Sequence, residues 1–318
     1  LVPSGSLTIL GTWTNNNNIT VQNAALSLGG TIDPDDLNSL TVINPTSYTF
    51  ANGTLNMDGK TFTVDTNLSF SNLTLDGGVA GGTLNVVDPC SLFITGTTTF
   101  INITATGEIT IQGGYLYIQD DFTLTGSIVF ENGYSGRVRF NDTVDQQFLG
   151  VATVKFPDTS GNPYFEKYNG GGLTCGGGVN FQGGRGTLNG PTTFEGNLYP
   201  TVAGETLAVT GTGWVNKGEM RNFGGLHPGP GRGNLTCSGN WTNEGLISVT
   251  GPADLSIAGT MDVSTSPSSD ISCDAGHLLL GVSGGPDDAR AVFDAVAKTN
   301  LTELTLLAGV FDNTGETF

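Results

Sequence analysis

The chain has 318 residues, among them 49 Gly, 44 Thr and 27 Asn, and its 29 Asp and Glu outweigh 11 Lys and Arg to leave a formal charge of −18. That balance excludes a nucleic-acid binder, because neutralising phosphates needs many basic side chains. No apolar run reaches the roughly 18 residues of a membrane-spanning helix, and a hydrophobic share of 37% is enough for a core, which excludes generic disorder.

The first residues, from Leu1, carry no Met, basic segment or apolar leader, as expected if a secretory leader has been removed or the chain is part of a longer one. Strict alternation of apolar and polar residues then begins at Leu7-Thr8-Ile9. It returns at Phe62-Thr63-Val64, Leu73-Thr74-Leu75, Ile109-Thr110-Ile111, Tyr115-Leu116-Tyr117-Ile118, Phe122-Thr123-Leu124 and Leu207-Ala208-Val209. Successive side chains on a strand point to opposite faces, so each run is predicted as a short strand with one dry and one wet face. Gly, Asn or Asp closes most of them, which is turn chemistry.

A common frame links these strands. It reads Leu7-x-Ile9-x-Gly11-x-Trp13, Leu92-x-Ile94-x-Gly96-x-Thr98, Phe122-x-Leu124-x-Gly126-x-Ile128 and Leu173-x-Cys175-x-Gly177-x-Val179. It continues as Leu207-x-Val209-x-Gly211-x-x-Trp214, Leu235-x-Cys237-x-Gly239-x-Trp241 and Leu255-x-Ile257-x-Gly259-x-Met261. Strand, Gly, strand is how a chain turns a corner without losing its alternation. The frames are unevenly spaced, far apart between Leu7 and Leu92 and close together between Leu235 and Leu255. The shorter gaps fit one coil of a stacked array, in which every coil buries its apolar side against its neighbours. Two-residue hairpin signals are scarce, Asn132-Gly133 being the best, so a β-sandwich is the weaker alternative. The expected fold is therefore all-β, a parallel β-helix over residues 1–281.

Carboxylates are the most plentiful chemical groups. Asp33, Asp35 and Asp36 form the densest cluster and the one weak candidate for a structural Ca²⁺, although no EF-hand or nonapeptide spacing accompanies them. No other cofactor is expected. Asp120-Asp121, with Arg137 and Arg139 a coil later, have the residue types of a polysaccharide lyase or hydrolase without a diagnostic spacing. The two histidines, His227 and His277, stand alone and no G-x-S-x-G marks a nucleophile, so no residue is expected to be catalytic. Thr-x-Thr pairs at 61/63, 104/106, 123/125 and 210/212 fall irregularly along the sequence, which argues against an ice-binding face.

Nine sequons begin at Asn18, Asn52, Asn67, Asn72, Asn102, Asn141, Asn234, Asn240 and Asn300, a modest excess over chance and the candidates for N-glycosylation. The four cysteines lack zinc spacing. Cys175 and Cys237 share the inward position of the frame and are expected as buried thiols, whereas Cys90, which follows Asp88-Pro89 in a turn, and Cys273, which precedes Asp274, are the possible disulfide partners, within the chain or between copies.

The stretch Gly225-Leu226-His227-Pro228-Gly229-Pro230-Gly231-Arg232-Gly233-Asn234-Leu235 and its continuation through Trp241 resembles the repeat of β-helical surface proteins of the autotransporter-passenger and adhesin type. The resemblance is good between positions 222 and 263 and loose before them. It implies a right-handed solenoid displayed outside the cell, although Cys237 stands where Val or Ile is usual. Beyond it, Asp287 to Lys298 reads as one short helix and Leu301 to Phe311 as strand, so residues 282–318 are expected to form a strand-helix-strand cap or docking element.

These readings converge on an extracellular or cell-surface structural repeat protein, a glycosylated filament subunit or adhesin stalk that is not an enzyme. Its expected partners are further copies of itself or a neighbouring surface protein, and carbohydrate. The alternative is a polysaccharide-active or polysaccharide-binding β-helix.

Overall fold

In a computed structural model of the chain, Leu73, Leu92, Ile109 and Ile128 lie side by side on successive parallel strands, one from each coil. All four are buried. The structure describes residues 5–17, 19–38, 40–43, 47–66, 72–222, 233–251, 253–262, 271–274, 277–282, 292, 294, 296–299 and 303–306. The chain is a parallel β-solenoid of about 11 turns. Alternation places one face of every strand in the core, and parallel stacking puts each apolar residue on the equivalent residue of the next coil.

Two compact units share this architecture, residues 1–155 with 168–171, and residues 156–167 with 172–318. In the first, further columns run Leu55, Val79, Phe100, Ile118, Phe140 and Phe62, Leu84, Ala105, Leu124. In the second, one column is Phe165, Leu188, Val209, Cys237, Ile257, Leu280 and another is Phe181, Leu198, Met220, Ile247, Ile271, Val296. Trp214, Trp241 and Met261 make a third, the two indoles stacked at 4.5 Å and 5°. Each fully buried Leu, Ile, Val or Phe contributes about 1.5–3 kcal/mol relative to exposure, so the columns supply the driving force for stacking.

The shared frame marks corners. Gly211, Gly239 and Gly259 follow one another on successive coils with φ of 104°, 94° and 81°. A Cβ at Gly239 would collide with the Gly211 carbonyl, and one at Gly259 with that of Gly239. Only a residue without a side chain serves there. Within the first unit Gly96 and Gly114 stack at one corner and Gly107 and Gly126 at another, a Cβ on the later glycine of each pair colliding with the earlier one's carbonyl. One coil therefore uses the frame at more than one corner, which is why the frames recur at uneven distances.

The register corrects several sequence expectations. Thr61, Thr83, Thr104 and Thr123 align in one column of the wet face, and Thr63, Asn85, Thr106 and Thr125 in the next. Unequal coil lengths hide this order in the sequence. Cys237 stacks between Val209 and Ile257, while Cys175 pairs with Phe194, so the two thiols belong to different columns. All four cysteines are thiols in the single chain, so Cys90 and Cys273 are not bridged to each other within it. Both are buried, in separate units, and Cys273 sits at a core position in register with Val249.

The helix expected over 287–298 is corrected at its end. Val296–Thr299 is a strand paired with Ile271–Asp274, because the β-branched Val296 completes the Ile247–Ile271 column. Glu303–Leu306 likewise continues the stack on His277–Val282. Residues 283–291, 293, 295, 300–302 and 307–318, the bulk of the expected cap, lie outside the described residues, as do Asn18, Asn67, Asn300, His227 and the Gly225–Arg232 part of the resemblance.

Candidate ligand-binding surface

The strand Tyr115–Phe130 and its neighbour Arg137–Phe140 alternate strictly. Leu116, Ile118, Val138 and Phe140 are buried, which forces Tyr115, Tyr117, Arg137 and Arg139 to the opposite face. Parallel register sets Tyr115 beside Arg137 and Tyr117 beside Arg139. Thr97 and Thr99 occupy the same positions one coil earlier, and their small side chains leave the rings open on that side.

A third ring arrives from a separate segment. The Tyr168 backbone N–H donates to the Phe140 carbonyl at 3.0 Å, which continues the pairing beyond the strand. Asn169 Nδ2 then donates to the Asn141 carbonyl and to Asn141 Oδ1, at 3.0 and 2.9 Å. This clamp presents Tyr168 over Arg139, with the guanidinium carbon 4.1 Å from the ring centroid. The same carbon lies 5.1 Å from the Tyr115 ring and 5.7 Å from that of Tyr117, all within cation–π range. Arg139 Nη1 also donates to the Tyr117 hydroxyl at 3.1 Å. Tyr115 and Tyr117 are parallel within 12° at 6.2 Å. Tyr115 remains 37% exposed and Tyr168 53% exposed.

Asp120 and Asp121 lie on the same strand, past Tyr117, and their surroundings are structural. Asp121 Oδ1 accepts the Gln147 backbone N–H at 2.7 Å, and Asp142 Oδ2 accepts that of Asp120. Asp120 holds a left-handed backbone, φ 63°, at this corner. Buried Gln146 ties the corner together: its Nε2 donates to the Ile118 and Asp120 carbonyls, and its Oε1 accepts the Asp142 backbone N–H. Sequence reasoning chose Arg137 and Arg139 but missed the tyrosines. The pattern Tyr115-x-Tyr117 followed by Arg137-x-Arg139 becomes informative only once the coil length is known, and Tyr168 has no sequence signal.

The Asp33 cluster is organised around a cation of the chain itself. Lys60 Nζ donates to Asp33 Oδ1 and Oδ2 at 2.7 and 2.8 Å and to Asp35 Oδ2 at 2.6 Å. The Lys60 ammonium holds the Asp33 carboxyl below the usual carboxylate range, with the Asp35 backbone N–H adding to the effect. Asp36, at the start of the short helix Pro34–Asn38, turns its carboxylate to the backbone amides of Asn15 and Asp33. Lys60 thus pairs with two of the three carboxylates of the Ca²⁺ candidate, Asp33 and Asp35, and among the described residues no three His, Cys, Asp or Glu side chains converge as metal ligands.

Of the described sequons, Asn52, Asn72, Asn102 and Asn240 are exposed and Asn141 and Asn234 are half-buried. Asn102 also lines an open polar recess with Asn56, Asp58, Thr83 and Thr104. In the second unit, His277 Nδ1 lies 3.0 Å from Asp254 Oδ1 on the surface. No helix among the described residues is long and apolar enough to cross a membrane.

Neither protein-family models nor curated proteins nor solved structures match the chain. The solenoid thus rests on its own register and carries no autotransporter or adhesin assignment.

Proposed function

We propose that this chain is an extracellular structural β-solenoid, the subunit of a surface filament or the stalk of an adhesin, and that it is not catalytic. The observation that carries the reading is the continuity of the columns. From Phe165 to Leu280 the same inward position is filled on every coil, and the corner glycines repeat with it. Such a stack resists bending because every coil is hydrogen-bonded strand to strand and packed face to face on the next. The acidic exterior, −18 overall, keeps it soluble and discourages uncontrolled lateral pairing. Glycans at the exposed sequons would reinforce that effect.

The competing reading, a polysaccharide lyase or hydrolase, needs two carboxylates placed to exchange protons across a groove. At the best candidate, Asp120-Asp121, the Asp121 carboxylate instead accepts the Gln147 backbone N–H at a corner, and this favours the structural reading. Negative-stain electron microscopy of native material, with intact mass on the same sample, tests it. Regular fibres or chains of subunits carrying excess mass are the expected result. Isolated particles at the unmodified chain mass that release sugar from a polysaccharide would overturn it.

A further inference from the structure

We propose that the outward cluster of Tyr115, Tyr117, Arg139 and Tyr168, with Arg137 at its margin, binds an acidic saccharide. The inference goes beyond the structural role and does not depend on it, since a chain that never polymerises still carries this surface.

The rings argue for a sugar. Tyr115 and Tyr168, 37% and 53% exposed, offer ring surface that ends in a hydroxyl. A pyranose has a matching C–H face and a hydroxyl periphery, and aromatic side chains of this kind combine large contact area with a polar handle. The open side of the cluster bears the small Thr97 and Thr99 in register with Tyr115 and Tyr117, so a chain of sugar units has room to continue along the coil stack.

The guanidinium groups argue for an acidic sugar. The chain has 11 basic residues in 318, and Arg137 and Arg139 stand two apart on one strand among three tyrosines. Elsewhere the net charge of −18 repels a polyanion, so local complementarity selects this patch. Arginine offers a planar fork that matches carboxylate and sulfate oxygens. Packing Arg139 between Tyr168 and the Tyr115–Tyr117 pair fixes that fork before any ligand arrives.

Isothermal titration calorimetry of the full chain tests the proposal with three probes: an oligogalacturonide (carboxylate only), a heparin-derived hexasaccharide (sulfate-rich) and neutral cellohexaose. Binding of at least one acidic probe is expected, with cellohexaose at least about tenfold weaker. Tyr168→Ala and Tyr115→Ala, at partly exposed positions that leave the core columns intact, should each lower affinity at least about tenfold, the worth of one lost cation–π or stacking contact. Arg185→Gln, at an exposed cation of the other unit, should leave binding unchanged. Which acidic probe binds more tightly identifies the anionic group. The proposal is overturned if neither acidic probe binds, if cellohexaose binds as well as they do, or if binding survives both tyrosine substitutions in protein whose circular dichroism is unaltered.

Discussion

Asn216 donates from its Nδ2 to Oδ1 of Asn243 on the next coil at 2.7 Å, and neither side chain is exposed to solvent. Asn216 Nδ2 also reaches the Leu246 carbonyl at 3.3 Å, and Asn243 Nδ2 donates to the Gly245 carbonyl at 2.8 Å. The pair lines up with Phe194 and Cys175 of earlier coils, so an amide ladder replaces an apolar column where the chain turns towards the next strand. It supplies side-chain donors to the Leu246 and Gly245 carbonyls.

Asn216→Ala removes both donations and should lower unfolding free energy by about 1–3 kcal/mol. Asn216→Leu should cost at least as much, because it fills the space but leaves the Leu246 carbonyl without that donor. Urea denaturation followed by tryptophan fluorescence reads both, since Trp214 is close by on the same strand. Unchanged midpoints would show that the ladder contributes nothing net.

Gly239→Ala should be among the most harmful single substitutions, on the order of 3 kcal/mol, because left-handed strain adds to collision with the Gly211 carbonyl. Gly59 has a similar φ of 79° but open space around it, so Gly59→Ala should cost only about 1 kcal/mol. Thermal melts of the two variants separate backbone strain from the stacking clash. Equal losses would mean that the column tolerates a methyl group.

The Asp33–Lys60 pair predicts a pH dependence. The folded Asp33 carboxyl is held below its ordinary range, chiefly by the Lys60 hydrogen bond, so its contribution is present above the unfolded pKa and is lost as pH falls through the folded one. Lys60, raised by the same carboxylates, contributes fully below its ordinary value and loses this only as pH rises past its folded pKa. Denaturation midpoints of the parent and Asp33→Asn, measured from about pH 2 to about pH 7, should differ near neutrality and converge in acid. A constant difference across the range would contradict the linkage.

Burial pushes the Cys237 thiol up to about 12 and raises that of Cys175 as well, with Glu195 nearby adding to the latter. Both thiols should resist alkylation in the folded protein at mildly alkaline pH and react fully in denaturant. Stability should also fall with rising pH once thiols of the unfolded chain ionise, up to about 12, because only that state releases their protons. Counting alkylated cysteines by peptide mass, folded against unfolded, checks the first point. Rapid labelling of Cys237 in the folded state would show that its column opens.

Secretion from a host with N-glycosylation should add glycans at Asn52, Asn72, Asn102 and Asn240, whose side chains are exposed. Asn234 differs, since its Oδ1 accepts the Asp254 backbone N–H at 3.0 Å. Asn234→Gln should therefore lower stability by about 1 kcal/mol even in unglycosylated protein, whereas Asn240→Gln should change only the mass. Glycopeptide mapping with parallel melts distinguishes the two effects.

Alternation was legible residue by residue. Leu73, Leu75, Ile109, Ile111, Leu116 and Ile118 all alternate with polar neighbours, and all six are buried. A strand's side-chain period of two needs no knowledge of its partner. The corner glycines were equally visible, because a left-handed corner against a neighbouring backbone leaves no other residue type. Composition and frame together therefore determined an all-β stacked array with short strands and polar outer faces.

Register was decided only in three dimensions. Which strand stacks on which depends on coil length, and the coil from Leu92 to Ile109 is much shorter than the one from Val209 to Cys237. That variation hid the Thr61–Thr83–Thr104–Thr123 column and gave Cys175 and Cys237 a false equivalence. It also hid the Tyr–Arg surface, whose parts come from one strand, its neighbour and a segment beyond. Local pattern determines what each residue can face, because that follows from backbone geometry alone. Which residues meet is settled by the summed packing of whole coils, and no single stretch of sequence contains that sum.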